Sequence, residues 1–269
     1  FLYALKVCSE IRGFFHVGRI IHYHIMRYGL DPNVLVGSTL IDMYAKCGWL
    51  VEGHYVLSKL QNRNSISWGV LVSGYARHGC IDFSLYLIEC MNKEGMILDK
   101  ATFLCILKAC GCMVAAEEGR LVHDHIMRNE TESVLLVGNT LIDMYMKCGS
   151  LQEAYRMFKT LPNQDVVSWS AIMAGYAQLG QSYMVLDLLA KMRKEGIVPN
   201  LVTFLVLLTV CSHTGLMEEG ERLFDEMFTH HLTPSLEHYT CMVDLFSRAG
   251  HFDKAKMLLN KVSSSQSLP

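Results

Sequence analysis

"LIDMYAKCG" at residues 40–48 returns as "LIDMYMKCG" at 141–149 and, degraded, as "MVDLFSRAG" at 242–250. Each copy starts 101 residues after the one before, and the flanks keep step. Residues 34–50 and 135–151 agree at 13 of 17 positions. Trp68 in "SISWGVLVSGYARHG" pairs with Trp169 in "VVSWSAIMAGYAQLG", again 101 apart. "GRIIHYHIM" at 18–26 pairs with "GRLVHDHIM" at 119–127, and "GERLFDEM" at 220–227 is the third copy.

Three related units of about 31, 35 and 35 residues fill each interval, which places units at 1–33, 34–64, 65–99, 100–134, 135–165, 166–200, 201–235 and 236–269. Each reads as two helices. In 135–165, Leu141, Ile142, Met144 and Tyr145 fall at helical spacing and make one apolar stripe. Gly149 then supplies the left-handed position that stops a helix. Ser150 with Glu153 predicts a capping box for a second helix carrying Leu151, Ala154, Tyr155 and Phe158. In 166–200, Gly196 and Pro199 of "EGIVPN" close the second helix. No stretch reads as a strand. A helix pair this short cannot bury its own apolar faces, whereas stacked pairs can. The expected fold is therefore all-α: an α-solenoid, a right-handed superhelix of about eight helix-turn-helix repeats of 31–36 residues, making one array over 1–269 with its first helices on the concave face.

The 51% hydrophobic content supports a substantial core, and a net charge of −2 gives no overall pull toward nucleic acid or membrane. That balance argues against a grip made only of phosphate contacts and leaves base recognition open. The longest apolar run, "FLVLLTVC" at 204–211, is too short to cross a bilayer. No two of the ten cysteines are spaced C-x-x-C, so reduced thiols are expected. The chain begins at Phe1, with no signal or transit segment before it, and reads as part of a longer protein.

Internal repetition acts as a control on candidate ligands. Cys47 and Cys148 become Ala249 in the third copy, which favours a small packed residue over a metal ligand. The pairs His22/His24 and His123/His125 become Phe224 and Glu226, which again favours packing. Cys110-x-Cys112 is a weaker signal still. No nucleophile elbow, P-loop, G-x-G-x-x-G or zinc-deaminase signature is present. No enzyme activity, metal or cofactor is expected of these residues.

"LIDMYAKCG", "VVSWSAIMAGYAQLG", "EGIVPN" and "TPSLEHYTCMVDLFSRAG" resemble the pentatricopeptide repeat family of plant organelles. The unit lengths match its subclass of alternating long, short and standard repeats, in the order L, S, P, L, S, P, L, S. The resemblance implies binding of single-stranded RNA at one nucleotide per repeat, with the chain running N-to-C along RNA 5′-to-3′. It places base recognition at the fifth and last residues of a repeat, here Ser38 with Asn64, Gly69 with Asp99, Asn139 with Asp165, and Ser170 with Asn200. The first and last pairs resemble the adenine code, Asn139 with Asp165 the uracil code, and Gly69 with Asp99 suggests guanine. The second residues Leu35, Ile66, Leu136 and Val167 are implied to sandwich the base. L-type units carry Leu2, Leu104 and Leu205 at the fifth position and are read as spacers. In the last unit Thr240 stands at the fifth position and Glu237 replaces the usual aliphatic. Lys46, Lys147 and Arg248 recur in register, facing phosphate or solvent.

The resemblance further implies the recognition part of an organellar C-to-U editing factor, in mitochondrion or chloroplast. Deaminase chemistry would then lie in C-terminal sequence beyond this chain or in an editing-complex partner. RNA stabilisation, splicing or a protein-binding helical scaffold are the alternatives. The chain is expected to act as a monomer away from membranes.

Overall fold

The computed structural model of the chain describes residues 1–11, 15–128 and 135–265. Every regular element among them is an α-helix, and the chain divides into two compact bodies, Phe1–Cys148 and Gly149–Pro269. The first holds α1 (Leu2–Glu10), α2 (Phe15–Arg27), α3 (Val34–Cys47), α4 (Leu50–Lys59), α5 (Ser65–Arg77), α6 (Ile81–Lys93), α7 (Lys100–Met113), α8 (Ala116–Arg128) and α9 (Leu135–Lys147). The second holds α10 (Leu151–Thr160), α11 (Val166–Gln178), α12 (Ser182–Lys194), α13 (Leu201–Thr214), α14 (Met217–Thr229), α15 (Leu236–Arg248) and α16 (Phe252–Ser265). The close of the unit 100–134, at 129–134, and the end of the polar tail, at 266–269, lie outside the described residues.

Every expected unit after the first opens on the first residue of a helix. In the first body α1, α3, α5, α7 and α9 pack in sequence as one row, flanked by the second helices. In the second body α11, α13 and α15 do the same. Each body is thus a two-layer stack of helix pairs, an α-solenoid in which a unit buries its stripe against its neighbours. Leu40, Ile41, Met43 and Tyr44 of α3 are buried, and so are their repeats Leu141, Ile142, Met144 and Tyr145 of α9. Burying each such side chain contributes about 1.5–3 kcal/mol.

The two kinds of helix start by different means. The first helices α3, α5, α7, α11 and α13 take a side-chain cap: Asn33, Asn64, Asp99, Asp165 and Asn200 stand in extended backbone and accept backbone N–H groups of the helix they open. Each cap contributes about 1 kcal/mol. Second helices follow a left-handed turn, made by glycine before α4, α6, α10, α12 and α14 and by Val114, at φ +56°, before α8. Gly48, Gly79, Gly149, Gly180 and Gly215 have φ between +71° and +81°, where any other residue is strained. The next residue, Trp49, Cys80, Ser150, Gln181 or Leu216, has φ between −92° and −77° and ψ between 59° and 74°. The capping box predicted from Ser150 and Glu153 does not form, because Ser150 makes no side-chain capping bond. At that ψ the residue is outside the extended setting from which a hydroxyl reaches the third N–H of the helix. The turn itself starts the helix, so residue type is free there.

One polar contact recurs with the period. His22 Nδ1 and Tyr44 Oη are 2.8 Å apart, as are His123 Nδ1 and Tyr145 Oη. In the third copy both partners change together, to Phe224 and Phe246, which marks the pair as one packing unit. Burial lowers the His22 pKa and pushes that of Tyr44 up to about 12. Histidine in the unfolded chain therefore takes a proton first, and stability falls as pH drops below about 6.5. Above that pH His22 is neutral in both states and contributes no slope. A double-mutant cycle of H22F and Y44F should show about 1 kcal/mol of coupling at pH 7.5. Additive effects in thermal or urea melts would mean the contact contributes nothing of its own.

Candidate functional site

The second and fifth residues of a first helix are three apart and share one face. The second residues Leu35, Ile66, Leu136 and Val167 are between 53 and 64% exposed. Isolated apolar residues on a surface are ordinary; here the same helix position is left uncovered on α3, α5 and α9 of the first body and on α11 of the second. Beside them the fifth residues are small and polar or absent. Ser38 is half-buried, Asn139 and Ser170 are buried, and Gly69 has no side chain. Leu104 and Leu205, at the fifth position of L-type units, are half-buried and offer no hydrogen bond.

The last residues Asn64, Asp99, Asp165 and Asn200 are the caps of the next helix, and this fixes their polarity. Ser67 N–H donates to Asn64 Oδ1 at 2.8 Å, and Thr203 N–H donates to Asn200 Oδ1 at 3.0 Å. A backbone N–H only donates, so the amide must turn its oxygen inward. The other end of Asn64 and Asn200 is then Nδ2, a donor. Asp99 and Asp165 accept the N–H of Thr102 and Ser168 in the same way, at 2.9 and 2.8 Å. An aspartate presents oxygen alone, so the cap that holds an asparagine donor in place holds an aspartate acceptor there instead.

The fifth-position hydroxyls have a fixed polarity too. Ser38 Oγ donates to Val34 O and Ser170 Oγ to Val166 O, each at 2.7 Å. A hydroxyl has one proton, so each serine is left as an acceptor. In unit 166–200 the two reading positions are joined, since Ser170 Oγ lies 2.7 Å from Thr203 Oγ1, which lies 3.0 Å from Asn200 Oδ1. Asn139 is in the first body and Asp165 in the second, and each holds its helix position as predicted.

The third residue of the following helix was not legible as part of the site. Ser67 and Ser168 donate to the capping side chain at 2.5 and 2.7 Å, Thr203 Oγ1 lies 3.0 Å from it, and all three residues are buried. A hydroxyl three residues after an Asn or Asp cap is the only signal, and it also marks any ordinary helix start. Thr102 holds the same position but differs. Its Oγ1 packs against Gly69, 2.7 Å from where a Cβ on that residue would stand, and both residues line a cleft of about 310 Å³ together with Ile66, Arg77 and Asp99.

Other candidates do not converge. The two residues of an H-x-H or C-x-C pair are about 200° apart around a helix; Cys110 is buried while Cys112 is exposed. Among the described residues no three His, Cys, Asp or Glu side chains are placed to hold a metal ion. Burial pushes Cys110 up to about 12 and Cys211 to about 11, which disfavours the thiolate a metal needs. Cys47 and Cys148 lie with Sγ 3.9 and 3.8 Å from the carbonyls of Cys8 and Cys110, as packed residues between first helices. Lys46, Lys147 and Arg248 each pair with an aspartate four residues earlier, at 2.7, 2.7 and 3.0 Å. Such exposed pairs are weak, so they leave a phosphate contact open by partner exchange.

Stacked helix pairs, with an aliphatic residue uncovered at the same helix position of successive units and with fixed polar caps, define a modular helical-repeat protein. The PPR repeat profile matches residues 38–65, 66–96, 139–166, 202–232 and 237–266, and the PPR repeat family profile matches 164–213. The chain belongs to the pentatricopeptide repeat (PPR) family. It is 36% identical over 265 residues to the chloroplastic pentatricopeptide repeat-containing protein CRR2 of Arabidopsis thaliana, covering 96% of this chain and 40% of that protein. A mitochondrial pentatricopeptide repeat-containing protein of the same plant is 37% identical over 245 residues, covering 91% of this chain and 39% of its own. The chain thus spans about two fifths of the length of these relatives. In fold it is similar to the pentatricopeptide repeat protein PPR10 from maize, with a TM-score of 0.55 at 15% identity, covering 96% of this chain and 43% of that one. PPR10 in complex with an 18-nt psaJ RNA element gives 0.53 at 15% identity, covering 96% and 44%.

Proposed function

We propose that the chain binds single-stranded RNA at one base per reading unit, preferring 5′-A-G-N-U-A-3′ across units 34–64 to 166–200. The observation that carries this reading is the polarity of the serine–asparagine pairs. Ser38 and Ser170 present acceptors, while Asn64 and Asn200 present donors. The Watson–Crick edge of adenine offers the complement, an amine donor beside a ring-nitrogen acceptor. Aspartate at the last position reverses the requirement and asks for a ring N–H, which guanine and uracil carry. The exposed second residues supply apolar contact that every base face accepts. PPR10, bound to an RNA element in its solved complex, supports the assignment by fold.

The finer role follows from the alternation of L, S and P units, and from the likeness of "EHYTCMVDLFSRAG" to the unit that precedes C-terminal extensions in this subclass. We read the chain as the recognition part of an organellar C-to-U editing factor, working as one array. Its curated relatives include chloroplastic and mitochondrial proteins, which supports an organellar address. The catalytic group would come from elsewhere.

The test is fluorescence anisotropy of the 269-residue chain on RNAs containing 5′-A-G-N-U-A-3′ or its reversal 5′-A-U-N-G-A-3′. The two have the same composition and differ at two read positions. The forward sequence should bind at least about tenfold tighter, given about 1–3 kcal/mol for each well-formed base contact. Equal affinity for both would end the proposed register.

A further inference from the structure

The second helices α2 and α4 carry apolar side chains that the 101-residue period does not require. Tyr23 becomes Asp124 and then Asp225 in the later copies, Val51 becomes Gln152 and Asp253, and Tyr55 becomes Arg156 and Met257. In the first copy all three are between 54 and 76% exposed, so none of them is core. They line a cleft of about 480 Å³ within the first body. Tyr23 and Met26 come to it from α2, and Val51 and Tyr55 from α4. Buried Tyr44, bonded to His22, lies at its floor. That floor recurs as Tyr145 with His123, whereas the apolar sides of the cleft do not recur.

Charge departs from the repeat in the same place. α8 carries Glu117, Glu118 and Asp124 where α2 has His16, Val17 and Tyr23. α2 is left without a carboxylate, and Arg19 and Arg27 are exposed on it. Among the described residues that line the cleft, Glu52 is the one carboxylate, and it belongs to the repeat, returning as Glu153. An aromatic and aliphatic surface beside cations, where the other copies place acids, has the composition of a protein interface.

We infer that the cleft between α2 and α4 docks an acidic amphipathic helix of a partner protein. Its apolar residues, spaced i, i+3 or i+4 and i+7, seat between Tyr23 and Tyr55, and its carboxylates face Arg19 and Arg27. The backbone groups of α2 and α4 are consumed within their own helices, so no strand can pair there, whereas a helix needs only side-chain contact. A second copy of this chain, seated on the same face about a two-fold axis, would set one cationic α2 against another. Single-stranded RNA would meet Glu52, and would find Met26 and Val51 where a phosphate needs a cation.

The experiment is fluorescence anisotropy of the 269-residue chain with a designed, labelled helical peptide of about 18 residues, or five turns. It carries leucines at the spacing above and glutamates on the remaining faces. One control redistributes the leucines around the helix, and another replaces the glutamates with lysine. The acidic amphipathic peptide should bind at least about tenfold more tightly than either control. Y23D combined with Y55R, the residues of the second copy, should weaken it at least about tenfold. R27E, one turn beyond Tyr23, should weaken the acidic peptide and tighten the lysine one, and it decides the matter if Y23D/Y55R loses its helical melt by circular dichroism. Equal affinity of wild type and a folded Y23D/Y55R for the acidic peptide overturns the inference, as does R27E leaving both affinities unchanged. So does wild-type preference for either control peptide. Dimerisation in sedimentation velocity that Y23D/Y55R abolishes would make a second copy the occupant instead. Displacement of the peptide by a short oligouridine would make it RNA.

Discussion

N200D should transfer the preference of unit 166–200 from adenine to a base with a ring N–H, guanine or uracil, by about ten- to a hundredfold. Asparagine and aspartate cap helices about equally well, so Thr203 N–H keeps its partner and α13 keeps its start. Only the far end of the side chain changes, from an amide donor to a carboxylate acceptor. Adenine N1, which received a hydrogen bond, would then face a negative oxygen. A guanine N1–H or uracil N3–H would be accepted instead. Base-edge contacts of this kind are worth about 1–3 kcal/mol, and each 1.4 kcal/mol is a factor of ten. Titration against RNAs varied only at the fifth base of 5′-A-G-N-U-A-3′ measures the change. N200A is the control: it should lose about 1 kcal/mol of helix stability with its cap and flatten the base ranking without inverting it. Should N200D rank the four bases as wild type does, Asn200 is a helix cap and nothing more.

The reach of the sequence differs between backbone and site for a physical reason. Unit boundaries were legible because two strong local signals coincide with the 101-residue period: left-handed glycines at the first turn and Asn or Asp caps at each first helix. Apolar stripes such as Leu141, Ile142, Met144 and Tyr145 follow from helical spacing alone, and all four are buried. Ser150 with Glu153 misled because a capping box is a statement about ψ as well as about residue type. Trp49, Cys80 and Leu216 at the same place show that the position makes no demand on the side chain.

At the site, the named pairs were found by resemblance, but their polarity was not. That polarity depends on which atom the third N–H of the next helix touches, a contact between two units that no single-unit pattern contains. His22 and His123 were legible as packing residues from Phe224 in the third copy, but their partners Tyr44 and Tyr145 were not.

The second large effect expected concerns the core beneath the reading face. F158A should destabilise the body 149–269 by about 3–5 kcal/mol, the range for removing a buried phenyl ring. Phe158 is 2% exposed and meets Trp169 edge-on, with ring centroids 4.7 Å apart and planes at 76°. This contact joins α10 to α11 and so ties one unit to the next. Trp169 has little else to hold it in a polar sense: its buried indole N–H has no partner among the described residues, whereas Nε1 of Trp68 donates to Glu94 at 3.2 Å. With the phenyl ring gone, Trp169 loses its packing partner, and a cavity is left that a stack of rigid helices fills poorly. Solenoid stability is close to a sum of unit and neighbour terms, so the damage should stay local. Hydrogen exchange of α10 and α11 should accelerate by about a hundred- to a few thousandfold, by the same factor of ten per 1.4 kcal/mol. Amides of α3 and α5 should exchange as in wild type. Because α11 carries Val167 and Ser170, adenine binding at the fifth base should weaken while the first two bases are read as before. Uniform acceleration across both bodies would show that they unfold as one cooperative unit, and the assumption of local stability terms would have to be given up.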